Sequence, residues 1–327
     1  MNTVVSTMIA AATAVLVGGP VSAQEFRAGI ADPVNTVLAW WTADAGGFYK
    51  AQGLNVQIAN MNGGSRGARE LQAGRLDVMH VVLSSVIRLN RGGGDLRLIG
   101  SLSNVIRFTF FSAPGVKTGA DLKGGVVAVS TAGSESDTTV NLALERLGLK
   151  RSDVTFKDYG GGPARLAAVK SGEVKATMLN EPFNTLAREQ NVNILVDLAA
   201  EQTPWVFSGI TVRTSSLKDP RERDALKRFL KATIEGNYLA LTDPARAKAV
   251  LTKELHNTTP KTIDIAYVDF EKQSPLNIEP SVKGAENILA QFPGGSSRIE
   301  DYIDTSLLDE IKKEGFIAQM QQKYNKR

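Results

Sequence analysis

The 327 residues contain no cysteine and only two histidines, His80 and His256. Disulfides, a lipid-attachment cysteine and thiol chemistry are thereby excluded. H-E-x-x-H metal spacing, a Walker loop and a G-x-S-x-G elbow are missing. The glycines at 63, 64 and 67, and those at 92–94, lack dinucleotide-binding spacing. No enzyme, metal or cofactor is expected. Neither sign of charge dominates: 38 Lys and Arg stand against 34 Asp and Glu, a net +4. The densest basic stretch, residues 218–231, is interleaved with acids as on a solvated helix face. No basic run alternates with stacking aromatics, so no nucleic-acid partner is expected.

Long hydrophobic runs are missing too, with one short exception. Residues 1–23 carry no charged side chain, and residues 8–17 are almost purely apolar. That run is about half the ~20 residues a spanning helix needs. Val21-Ser22-Ala23 then offers small residues where a signal peptidase reads, although the usual basic n-region is lacking. The expectation is a cleaved signal peptide over 1–23, no lipid anchor, and a monomer diffusing in the periplasm.

What is present is ordinary globular sequence, 43% hydrophobic and 22% charged. Short apolar runs alternate with helix-period segments. Strands are expected near 24–31, 56–59, 76–82 and 96–100, with helices over 37–49 and 68–73 and after Ser84-Ser85. This alternation argues for a largely parallel, doubly wound α/β sheet. Residues 120–149 repeat the theme. An apolar strand, 126–129, runs into a loop of small hydroxyl residues, and a helix ending at Gly148 follows. Ser130, Thr131, Ser134 and Ser136 ring that helix start. They can cap it, or with its free N–H groups receive a polar ligand.

The second part of the chain resembles the first. LQAGRLDV (71–78) is matched by VKSGEVKA (169–176): a helix end, a glycine in the C′ position, then a strand. Two related α/β lobes follow, with extended stretches at 107–112 and 208–214 as crossings. The expected division is 24–107 with 210–327 as the first lobe and 108–209 as the second. Beyond Asp219 the pattern is helical. Asp243-Pro244, Thr259-Pro260 and Glu279-Pro280 are start signals for C-terminal helices that brace the first lobe.

In this order the segments GGFYKAQGL (46–54), 71–77, ADLKG (120–124), 143–149 with Asp153-Val154, and 172–174 leading to Asn180-Glu181-Pro182 resemble a known family. It comprises solute-binding proteins of ABC importers, of the nitrate, sulfonate and taurine group that includes pyrimidine-precursor-binding proteins. Lys175 departs from the family's frequent acid, and the glycines at 160–162 are richer than usual. The resemblance implies a type II periplasmic-binding fold: two doubly wound α/β lobes joined by a two-segment hinge, closing over a small ligand and docking on a membrane permease.

Ligands of open α/β sheets sit beyond the carboxyl ends of the strands. That rule gathers Asn35, Gly64, Ser65, Ser84, Ser85, Ser130, Thr131, Ser134, Tyr159, Asn180 and Glu181 around one cleft. Trp40 and Trp41 can stack on a planar ligand, though one of two adjacent helical tryptophans is usually core. Arg107 can clamp a carboxylate or sulfonate or pair with a hinge acid. His80 reads as a near-core group. The leading expectation is a small organic or inorganic anion; the alternative is a neutral heteroaromatic such as a pyrimidine precursor, and a pyrimidine-precursor synthesis enzyme on the same fold stands behind both. Glu135 decides part of this: pointing inward, it favours a neutral or amine-bearing ligand.

Overall fold

The computed structural model describes residues 23–256 and 258–326. The expected signal segment lies outside them, apart from Ala23. The chain opens with strand β1 (Gln24–Ile30), followed by β2 (Leu54–Asn60), β3 (Val78–His80) and β4 (Leu96–Ser101). It then leaves to build a second sheet from β5 (Thr109–Ser112), β6 (Val126–Val129), β7 (Thr155–Asp158), β8 (Ala176–Leu179) and β9 (Asn193–Val196). On return, β10 (Gly209–Arg213) enters the first sheet.

The sheet orders are β2-β1-β3-β10-β4 and β7-β6-β8-β5-β9. Each has three parallel strands, then one antiparallel strand adjoining a crossing, then an outer strand. The two halves therefore share one plan. The matched helix-to-strand turns have the same backbone, with Gly74 at φ +76 and Gly172 at φ +79. An L-side chain rarely adopts that left-handed conformation, which is why glycine recurs there.

The stretches at 107–112 and 208–214 are not the crossings themselves. β5 and β10 are buried strands inside their sheets, because an apolar run bare on neither face suits an interior strand better than a linker. The chain crosses just before each. Ile106 N donates to Thr203 O at 3.1 Å, Trp205 N to Asn104 O at 2.9 Å and Leu102 N to Ser208 O at 2.7 Å. The two crossings thus run as a hydrogen-bonded antiparallel pair, with a bridge at Val105 and Pro204.

The expected helix over 37–49 is broken. A 3-10 turn, Asn35–Val37, leads into the helix Leu38–Ala45, and Gly46-Gly47 separates it from Phe48–Ala51. Leu38–Ala45 lies under the long helix Pro220–Thr242, and Trp40 meets Phe229 of that helix edge-on at 5.2 Å. Capping in the C-terminal region follows the sequence: Asp219, Asp243 and Thr259 each accept from their own helix start, with proline next. At Glu279-Pro280 the start is two residues later, and Ser281 caps the helix Val282–Ala290. Among the described residues no helix is long and apolar enough to cross a membrane.

Candidate functional site

The carboxyl ends of β1, β3, β6 and β8 point into the gap between the sheets. The residues that follow each strand, Asp32, Val81, Ser130 and Asn180, line one cavity there of about 60 Å³. The halves are in contact around it. From the helix Leu83–Arg91, Ser84 Oγ donates to Glu135 Oε2 at 2.5 Å, Ser85 Oγ to Gly133 O at 3.3 Å and Arg88 to Thr138 Oγ1 at 3.3 Å.

Two carboxylates and one guanidinium face the cavity. Glu135 opens the helix Glu135–Arg146 and points inward, where Ser84 and the indole N–H of Trp205 hold it. Burial pushes its carboxyl up to about 7, against those two hydrogen bonds and the charge of Arg88. Arg165, in the helix Gly162–Ser171, reaches Asp32 Oδ2 across the gap at 3.4 Å. Its other donors go to the carbonyls of Gly160, at 3.0 Å, and Met178. Burial raises the Asp32 carboxyl and lowers the Arg165 guanidinium, while each one's charge partly holds the other back. Asp32 Oδ1 lacks a well-formed partner.

The remaining wall is a histidine and two phenylalanines. His80 ends β3 and bonds Ser208 through Nε2, while Nδ1 has no partner. Burial alone drops its pKa to about 4, so it is neutral at pH 7. Phe108 and Phe207 come from the two crossings and meet edge-to-face, with centroids 5.0 Å apart.

The expected residues divide into three groups. Gly64, Ser130, Ser134 and Asn180 line the cavity. The serines also satisfy one another: Ser130, Ser134 and Ser136 form a ring of hydroxyl hydrogen bonds of 2.9–3.2 Å. Ser84 and Ser85 bridge the halves beside it, Ser65 is buried near Gly133, and Thr131 packs on Gly63.

The others are turned elsewhere. Trp40 is core, and Trp41 lines a different hollow with Pro33, Lys253 and His256. Asn35 donates to Ala266 O at 2.9 Å and Asp269 Oδ2 at 2.7 Å, which ties it to the helix Pro260–Gln273. Arg107 forms a buried ion pair with Asp269. Glu181 accepts from Thr185 N at 3.2 Å and borders an outer groove beside Asp269. Tyr159 donates to Glu173 at 2.7 Å on the surface.

The turn that begins at Asp32 was expected at the cleft, and Asp32 does line the cavity; Arg165, Phe108 and Phe207 did not stand out in the sequence. Arg165 carried a usable signal, since a cation four residues into a helix opposes the dipole. The same pattern occurs at Arg66, near the start of the helix Gly64–Gln72, where the side chain is exposed.

A family model described as NMT1/THI5 like matches residues 35–247. The chain belongs to the NMT1/THI5-like family. The match runs from the 3-10 turn before the first helix to beyond β10 and takes in every strand but β1. No curated relative matches at a significant level. Among solved structures, a protein of Bordetella bronchiseptica RB50 is similar with a TM-score of 0.79 at 20% identity, over 89% of this chain and 97% of that one. The periplasmic aliphatic sulphonate binding protein SsuA from Escherichia coli gives 0.63 at 19%, over 93% and 99%. The periplasmic nitrate-binding protein NrtA from Synechocystis PCC 6803 gives 0.72 at 14%, over 91% and 90%. At these identities the likeness concerns the fold, which this NMT1/THI5-like chain shares with periplasmic ligand-binding proteins.

Proposed function

We propose that this NMT1/THI5-like protein is the periplasmic ligand-binding component of an ABC importer, exported by its N-terminal segment, and that its ligand is a small, hydrogen-bond-donating heterocycle of the pyrimidine-precursor kind. The observation that carries the reading is the charge balance of the cavity: Asp32 already offsets Arg165, Glu135 is at most partly ionised at pH 7, and His80 is neutral, which leaves no uncompensated cation for an anionic ligand. A buried anionic ligand beside two carboxyl groups would be repelled unless they took up protons. Ring N–H and amino groups would instead satisfy Asp32 Oδ1 and Glu135, and a planar ring would lie against Phe108 and Phe207. In this closed arrangement the cavity is well below the ~150 Å³ that admits benzene, so a ring enters by parting the halves.

Ligand contacts to both halves would favour the closed form, and a full swing from open to closed takes about 5.5 kcal/mol of differential binding. The paired crossings are suited to act as the hinge of that movement. A binding role rather than catalysis fits the lack of cysteine and the neutral, buried His80. The closed form would dock on a permease.

A second reading, a sulfonate- or nitrate-class anion, is favoured by Arg165 at the cavity wall and by the ligands named for SsuA and NrtA. Isothermal titration of the mature protein against aminopyrimidines, alkanesulfonates, carboxylates and nitrate separates the two. Heat with the heterocycles alone is expected. Heat with sulfonates or nitrate alone would overturn the heterocycle assignment, and silence across the panel would count against a receptor of either kind.

A further inference from the structure

The carboxylate of Asp32 stands where an anion would be held. Arg165 is buried, at 2% exposure, and its bonds to Gly160 O and Met178 O orient the guanidinium without neutralising it. Its remaining nitrogen is 3.4 Å from Asp32 Oδ2, long beside the ~2.7–2.9 Å of a tight charge-assisted bond. Among the described residues Asp32 is the one carboxylate within ion-pair distance of Arg165; Glu135 faces the same cavity but is held by Ser84 and Trp205.

The same position lies at the start of the ten-residue helix Gly162–Ser171, whose free N–H groups favour negative charge. Gly161 permits the approach, since a Cβ there would sit 2.9 Å from Asp32 Oδ1. Asp32 itself comes from the other half of the molecule, on the turn after β1. It is 8% exposed, and Oδ1 has no well-formed partner. Cation, helix start and inward-facing carboxylate thus form one built site assembled from both halves.

We propose that Asp32 is a resident counter-ion, filling from the first half the anion position that Arg165 and the Gly162–Ser171 helix create in the second, and so determines that the cleft rejects anions. The inference rests on the cleft reading above and adds the residue that sets ligand charge. A buried guanidinium left without its partner is costly, so a variant lacking the carboxylate should recruit a soluble anion of the same shape. Asp32→Ala removes the carboxyl group and leaves room for formate, which would replace it.

The test is thermal unfolding and titration of the full mature protein at pH 7 with formate, nitrate and chloride at matched ionic strength. In Asp32→Ala, formate is expected to raise Tm saturably, with a half-effect concentration at least about tenfold below that in the wild type. The added change Arg165→Gln is expected to abolish the gain. Equal responses of variant and wild type, or formate acting no better than chloride, would overturn the proposal. Should Asp32→Ala not fold, Asp32→Ser keeps a polar group on the turn while still vacating the carboxylate's place, and a formate-specific rise in its Tm is expected; no rise overturns the idea equally. The heterocycle titration of the wild type is scored apart. Heterocycle binding with no anion response in the variants leaves the function and sinks Asp32's role, and the converse result does the reverse.

Discussion

Trp205 donates its indole N–H to Glu135 Oε1, joining the second crossing to the helix that starts at the cavity. On its other oxygen Glu135 accepts from Ser84 of the opposite half at 2.5 Å. One buried carboxyl group is therefore shared by both halves and the connection between them. Its protonation is coupled to how all three sit.

That coupling has a definite sign. Folded Glu135 titrates at about 7, against 4.5 for the free side chain. Between those values the folded protein holds a proton that the unfolded chain has released. Stability is therefore highest below about pH 4.5 and is lost as pH rises to about 7. Glu135→Gln keeps an acceptor for Trp205 and can donate to Ser84. Urea midpoints of this variant are expected to be flatter from pH 4.5 to 8, with a gain at pH 8 of at most about 3 kcal/mol. A slope matching the wild type would refute the assignment.

His80 works in the opposite direction. Its folded pKa is about 4, against an ordinary 6.5, so below 6.5 the unfolded chain gains a proton that the folded one refuses. Stability is present above pH 6.5 and is lost as pH falls through the window to about 4. The two groups offset each other between about pH 4.5 and 6.5. His80→Asn removes one side, and its stability should then fall more steeply than the wild type's as pH rises through that window. The same urea series reads it, and an unchanged slope would mean that His80 titrates normally.

The aromatic residues separate core from cavity. Trp40→Ala should cost about 3–5 kcal/mol of stability, because Trp40 is fully buried against Phe229. Phe207→Ala should lower heterocycle affinity at least about tenfold with a smaller loss of stability. Denaturant melts and calorimetric titration on both variants check this. An affinity loss confined to Trp40→Ala would reverse the roles.

Arg107 offers a control. Its side chain is 3% exposed and its partner Asp269 is 26% exposed. Asp269→Ala strands a buried cation and is expected to cost about 3 kcal/mol. The affinity of the folded protein for heterocycle should not change, since neither residue lines the cavity. A large affinity loss at unchanged stability would bring Arg107 back as a ligand contact.

Much of the framework was legible because it depends on local signals. Glycines at left-handed positions, such as Gly74 and Gly172, and caps ahead of proline, such as Asp243 and Thr259, act within one turn of chain. The cleft end of each strand followed from the α/β plan. Which side chains turn into the cleft depends on partners far away in sequence. Trp40 and Trp41 have the chemistry for stacking, but Pro220–Thr242 covers their helix, and nothing near residue 40 announces that. Arg107 was ambiguous until Asp269, from a C-terminal helix, took it. Glu135 was legible as a decisive residue although not in its direction, and the helix-start signal of Arg165 gained meaning from Asp32, which faces it from the other half of the chain.

The place of β10 bears on the order in which the molecule can be completed. β3 and β4 follow one another closely in sequence, yet they are not neighbours, because β10 lies between them. As the chain emerges from the ribosome, the first sheet keeps a gap until residues 209–213 arrive, by which time every strand of the second sheet has been made. Pairings this distant are slow to form. The amino-terminal half therefore waits on the middle of the chain for its own closure, and a nascent product stopped before β10 carries every strand of the second sheet beside an unfinished first one.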